Sequence, residues 1–150
     1  MGKGKRLSQH FRNGEFSCRC SRTCLGKIDP DPRLIVGLEW LRALAGHPVN
    51  VTTALGKNGG NRCAPHNRKV GGATYSQHIK NKAADIYVVG MTGLELAKLA
   101  VQVEPLRNGG IGVAGNHIHV DVRRGRSRWD YSSAPPGTLG KLNKYERENY

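Results

Sequence analysis

Between residues 33 and 46 the chain reads RLIVGLEWLRALAG, and its apolar positions recur at helical spacing. Leu34, Leu38, Leu41 and Ala45 fall on one face, and Gly46 supplies a C-terminal stop. The period then changes. HPVNVTTAL (47–55) is rich in β-branched residues and predicts a strand, and AADIYVV (83–89) predicts another. Between them runs a long glycine-rich loop, GKNGGNRCAPHNRKVGGATYSQH (56–78), and long ordered loops in compact domains are frequently functional. MTGLELAKLAVQVE (91–104) predicts a second helix, opened by Thr92 with Glu95 three residues on, the two halves of a capping box. GGIGVAG and HIHVDVR predict two antiparallel strands joined by a turn near Gly115 and Asn116. The polar tail from residue 132, SSAPPGTLGKLNKYERENY, predicts irregular structure over the surface. Strands separated by helices and loops give an α+β class, a small antiparallel sheet with flanking helices.

Alternation within two of these strands raises a chemical question. His117, His119 and Asp121 share one face of HIHVDVR, while Ile118, Val120 and Val122 share the other. In AADIYVV, Ala84, Ile86 and Val88 point one way and Asp85 the other. An ionised carboxylate inside an apolar run is costly unless it is paired, hydrogen-bonded or bound to a metal. If the strands are neighbours, Asp85 lies beside His119, and the preceding loop delivers His78. Two histidines and a carboxylate are a donor set of catalytic zinc sites that keep a fourth position for water. An H-x-H on a strand is by itself more often structural. The conjunction of both patterns, each with an apolar opposite face, favours the metal.

Composition narrows the setting. A chain of 150 residues fits one domain, 1–150, with a basic N-terminal arm (1–9) and the polar tail (132–150). The N-terminus is basic but lacks the apolar stretch and cleavage site of a signal peptide. The expected route is synthesis in the cytoplasm, with release or export by other means. Lys and Arg number 24 against 11 Asp and Glu, a net charge of +13. Such a surface attracts polyanions: nucleic acid, anionic lipid or a bacterial wall. The run RRGRSR (123–128), followed by Trp129, reads as a nucleic-acid arm or as a strand end beside the cleft; the second reading is favoured.

The motifs also carry a resemblance. SQHIKNKAADI resembles the S-x-H-x-x-x-x-x-x-D signature of the zinc D-Ala-D-Ala carboxypeptidases and their relatives in the lysostaphin/D-Ala-D-Ala/hedgehog peptidase group, and HIHVDVR resembles that group's H-x-H element. EFSCRC, CAPHNRKVGGATYSQH and HVDVRRGRSRW are similar to phage and prophage members. The resemblance spans about His10 to Trp129 and implies the hedgehog/D-Ala-D-Ala-peptidase fold, with zinc on His78, Asp85 and His119. It assigns His117 to proton transfer or oxyanion stabilisation, Ser76 to a hydrogen bond within the site or to substrate, and Asp121 to orienting an imidazole. The sequence also departs from the pattern. TALGKNGGNR stands where relatives have S-G-Y-R, so Arg62 or Lys57 takes over the grip on the substrate carboxylate. Asn81 stands where a glycine is usual, and Val113 and Ala114 occupy the stretch that in some relatives supplies a carboxylate base.

Cys18, Cys20, Cys24 and Cys63 leave three readings open: a structural zinc site with His66 able to replace one sulfur, one or two disulfides, or unlinked buried thiols. The expected function is zinc-dependent hydrolysis of an amide in bacterial peptidoglycan peptides, by a monomeric carboxypeptidase or endopeptidase, an endolysin among the options. The partners expected are the peptide and the anionic wall, with no membrane span and no nucleic acid. The alternatives are a non-catalytic zinc-containing wall-binding protein and a basic nucleic-acid-binding protein.

Overall fold

Asp31 opens the first helix. Its carboxylate accepts from Arg33 N at 2.9 Å, and Pro32 occupies the first turn, where a missing N–H costs nothing. Helix α1 (Pro32–Ala45) ends at Gly46, which adopts the left-handed conformation (φ 67°) that the sequence pattern predicts. The computed structural model describes residues 4–20 and 29–150. After α1 come strand β1 (Asn50–Val51), helix α2 (Ala64–Lys69), strand β2 (Ala83–Tyr87), helices α3 (Gly93–Ala100) and α4 (Glu104–Arg107), strands β3 (Gly110–Val113), β4 (Ile118–Asp121) and β5 (Ser127–Asp130), and helix α5 (Thr138–Asn149). Both hydrogen bonds of the predicted capping box at Thr92 and Glu95 are present at the start of α3.

Among the described residues the strands form one sheet in the order β1-β2-β4-β3-β5. The pairings β1–β2, β2–β4 and β3–β4 are antiparallel, whereas β5 adds parallel to β3. The class is α+β with flanking helices, as expected, but the sheet is mixed rather than wholly antiparallel. Its core face carries Ala84, Ile86, Ile111, Val113, Ile118 and Val120, packed with Leu34, Leu38 and Leu41 of α1 and Leu96 and Ala100 of α3. The opposite face therefore carries Asp85, His119 and Asp121.

Three local expectations need correction. The strand expected over 47–55 is confined to Asn50–Val51; Thr52–Leu55 coils into a 3₁₀ turn closed by Gly56 at φ 78°. β-branched residues mimic a strand in sequence, but Thr52 and Thr53 are buried as turn residues beneath the following glycines. The loop 56–78 contains α2, started by Pro65 in its first turn. The tail is a helix rather than irregular: Leu142 of α5 is buried in the core and Tyr145 packs against it.

Glu146 ties that helix to the sheet. It receives Arg126 Nη2 at 2.7 Å and Arg128 Nη2 at 2.8 Å, with its side chain only 6% exposed. Arg128 also donates to the carbonyls of Gly109 and Arg107 at 2.9 and 2.7 Å, so this ion pair has its remaining hydrogen bonds made. Burial pushes the Glu146 carboxyl up, but the hydrogen bonds from Arg128 and Arg126 outweigh it and hold the pKa below the ordinary value. The stability this contributes is complete above the unfolded pKa of about 4.3 and is lost as pH falls through the lower folded value. Glu146→Gln should cost about 3 kcal/mol in urea unfolding at neutral pH. The difference from wild type should shrink in acid; an equal difference at all pH values would contradict the pairing.

Candidate metal centre

Strand register sets the site. Asp85 of β2 and His119 of β4 are direct cross-strand partners, on the same face of the sheet. His78 arrives from a tight turn before β2. The Ser76 hydroxyl accepts from His78 N at 3.2 Å, Lys82 N donates to Gln77 O at 3.1 Å, and Asn81 closes the turn at φ 59°. Asparagine tolerates this left-handed conformation better than most side chains, which accounts for Asn81 where glycine is usual.

Both imidazoles are oriented from behind. His78 Nδ1 donates to the Gly60 carbonyl at 2.8 Å, and His119 Nε2 donates to Asp121 Oδ2 at 2.7 Å. A carbonyl and an ionised carboxylate only accept, so each neutral ring holds its N–H there and turns a lone pair inward. His78 Nε2 then lies 3.4 Å and His119 Nδ1 3.1 Å from Asp85 Oδ1. Asp121 is itself fully buried and held by Gly110 N at 2.9 Å, Arg123 N at 3.1 Å and Arg123 Nη2 at 2.6 Å. Trp129 of β5 packs on His119, ring centroids 5.1 Å apart. Its indole lies over Gly112, where any β-carbon would collide with it.

Two lone pairs facing a carboxylate repel unless a proton or a cation lies between them. Burial opposes charge on His119, yet with a proton on its inward nitrogen it donates to both Asp121 and Asp85, and these hydrogen bonds hold its pKa above the ordinary value. Burial dominates at His78 and lowers its pKa, against the pull of Asp85. Burial alone raises the Asp85 carboxyl, but when protons rather than a cation lie between them, His119 and His78 donate to Asp85, and these hydrogen bonds bring its carboxyl well below the usual carboxylate range. The ligand atoms of His78, Asp85 and His119 all lie within 4.8 Å of one another. Two imidazole nitrogens and a carboxylate oxygen, with the donor lone pairs already converging, suit a divalent metal of the zinc type.

The other predicted residues surround this cluster. His117 is half-buried at its edge, with Nδ1 donating to Asn116 Oδ1 at 3.0 Å and its ring stacked on Tyr131. Two hollows, of about 550 and about 530 Å³, meet at the centre and share Arg62, Val70, Asp85 and His117. Arg62 is half-buried, and its Nε has no hydrogen-bond partner among the described residues. Lys57 is exposed along the first hollow. Cys18, Cys20 and Cys63 come together elsewhere, whereas Cys24 lies outside the described residues. His66 does not join them; its Nε2 contacts Asn58 Oδ1 at 2.6 Å.

Two features escaped the sequence reading. Tyr131, which lines the second hollow beside Trp129, was legible only as the alternating W-x-Y after the basic run. The run itself is not a free arm: Arg123, Arg126 and Arg128 are engaged with Asp121 and Glu146.

An α+β domain with His, Asp and His donors at the floor of a cleft has a ligand set suited to a hydrolytic zinc centre. A family model described as peptidase M15 matches residues 9–121, and the chain belongs to that family. The match includes His78, Asp85 and His119 and ends at Asp121. No curated protein matches the chain. Family membership implies a zinc-dependent peptidase with a peptide as substrate.

Replacing His78, Asp85 or His119 with Ala should each remove metal from this centre, measured as zinc per chain after dialysis. Asp121→Asn should weaken zinc binding by about 10- to 100-fold, the usual effect of removing a carboxylate behind a metal-binding histidine. Unchanged affinity in a chelator competition would contradict the orienting role of Asp121.

Proposed function

We propose that the protein hydrolyses an amide bond in bacterial peptidoglycan peptides, with zinc held by His78, Asp85 and His119. The observation that carries this reading is the convergence of two histidine lone pairs on Asp85 at the junction of two hollows. Zinc bound there supplies Lewis acidity toward the scissile carbonyl and acidifies its water. The chain's own residues do the rest. His117 keeps its Nδ1 hydrogen on Asn116, which leaves Nε2 to exchange a proton with the reacting groups at the cleft edge. Arg62, with a buried donor unspent, binds a carboxylate of the substrate. Tyr75, Trp129 and Tyr131 line one hollow and offer aromatic faces to the peptide lying along it.

Two hollows meet beside the donors, and their combined room favours a substrate that extends beyond the scissile bond and hence an endopeptidase. Peptidoglycan stems carry free carboxylates along their length, as Arg62 requires, and an anionic wall attracts a chain of net charge +13. The motif resemblance to wall peptidases of phages supports an endolysin role, exercised on the wall after release. No helix among the described residues is long and apolar enough to cross a membrane.

Digestion of purified peptidoglycan, with the fragments weighed by mass spectrometry, tests this reading. The expected products are stem or cross-bridge peptides split internally. Release of single terminal residues alone would make the enzyme a carboxypeptidase, and an intact wall would overturn the substrate assignment. His117→Ala should keep its zinc and lose turnover by roughly 10²- to 10⁴-fold; unchanged turnover would leave His117 no catalytic role.

A further inference from the structure

A second group of donor atoms stands apart from the His–Asp–His centre. The Sγ atoms of Cys18, Cys20 and Cys63 all lie within 4.8 Å of one another, and those of Cys18 and Cys63 are 3.9 Å apart. A disulfide brings sulfurs to about 2.05 Å. Two thiolates sharing one tetrahedral zinc at about 2.3 Å each stand about 3.8 Å apart, close to the 3.9 Å between Cys18 and Cys63. The backbone is arranged to favour anionic sulfur, since Cys63 N donates to Cys18 Sγ at 3.5 Å. Both segments are also pinned: Asn61 N donates to Phe16 O at 2.7 Å, and Arg19 donates twice to Thr53 O, at 2.6 and 2.9 Å.

We propose that Cys18, Cys20 and Cys63 hold a structural zinc ion through three thiolates, its fourth position taken by water or another ligand. Each thiol gives its proton to solvent on binding, three per zinc, with no change of oxidation state. The ion joins the N-terminal segment to residues 59–63, and that segment shapes the other centre. Gly60 O accepts from His78 Nδ1, Gly59 O accepts from Asp85 N at 2.7 Å, and Arg62 N donates to His78 O at 3.1 Å. The thiolate zinc therefore braces the backbone that aims two of the three donors in the cleft. Softness of the ligands separates the centres: three sulfurs select zinc, cadmium or cobalt over harder cations.

The test uses the full chain carrying His119→Ala, so that the peptidase reading and this one fail independently. Purified with zinc, that variant should retain one zinc per chain, and adding Cys63→Ser should remove it. Cobalt loading should give an intense near-ultraviolet sulfur-to-metal charge-transfer band in the His119→Ala protein, and no such band after Cys63→Ser. If the double variant does not fold, the cobalt spectrum of the folded His119→Ala protein still reads the site, because histidine and carboxylate ligands give no such band. Zinc should also protect the thiols from alkylation until a chelator is added. A His119→Ala protein free of zinc, a cobalt spectrum without the charge-transfer band, or a mass short by a pair of hydrogens on a peptide linking Cys18 or Cys20 to Cys63 would each overturn the proposal.

Discussion

His78 and His119 each spend their single N–H away from the cleft, on the Gly60 carbonyl and the Asp121 carboxylate. Both inward nitrogens are left as acceptors facing Asp85, an arrangement that repels itself without a cation or a proton between its members. Much of the surrounding structure maintains that tension. Asp121 is gripped by β3 through Gly110 and by the Arg123 guanidinium, so it cannot turn away from His119. Residues 59–62 hold His78 and Asp85 by backbone hydrogen bonds that no side-chain motion relaxes. The donors are therefore set before any metal arrives, and little reorganisation accompanies binding.

The sheet explains how so polar a centre survives beside a core. Alternation along β2 and β4 sends Ile86, Ile118 and Val120 into the apolar layer and Asp85 and His119 to the opposite face. β5 then closes that face, since its parallel pairing with β3 brings Trp129 over Gly112 and against His119. The helix that follows is fastened by Glu146 to Arg126 and Arg128, so the basic run holds the strand in place.

Much of this was legible in the chain. The H-x-H alternation and the lone acid in AADIYVV place His119, Asp121 and Asp85 on polar faces, because strand period is a strict geometric rule; the adjacency of β2 and β4 that pairs Asp85 with His119 is set by the sheet order. Gly46 and the Thr92–Glu95 box mark helix ends for equally local reasons. What escaped depends on distant partners. Helix α5 has few apolar positions, and Leu142 counts only because α3 and β5 await it. Thr52 and Thr53 have strand propensity overridden by burial in a turn. The arginines at 123–128 read as free charge until Asp121 and Glu146 appear beneath them, and no sequence pattern states which imidazole nitrogen faces inward.

Anomalous diffraction at the zinc edge from crystals of the zinc-loaded protein should show a peak about 2.0–2.2 Å from His78 Nε2, Asp85 Oδ1 and His119 Nδ1, with His119 Nε2 still bonded to Asp121. A peak on His119 Nε2, or no peak between these three residues, would contradict the central claim.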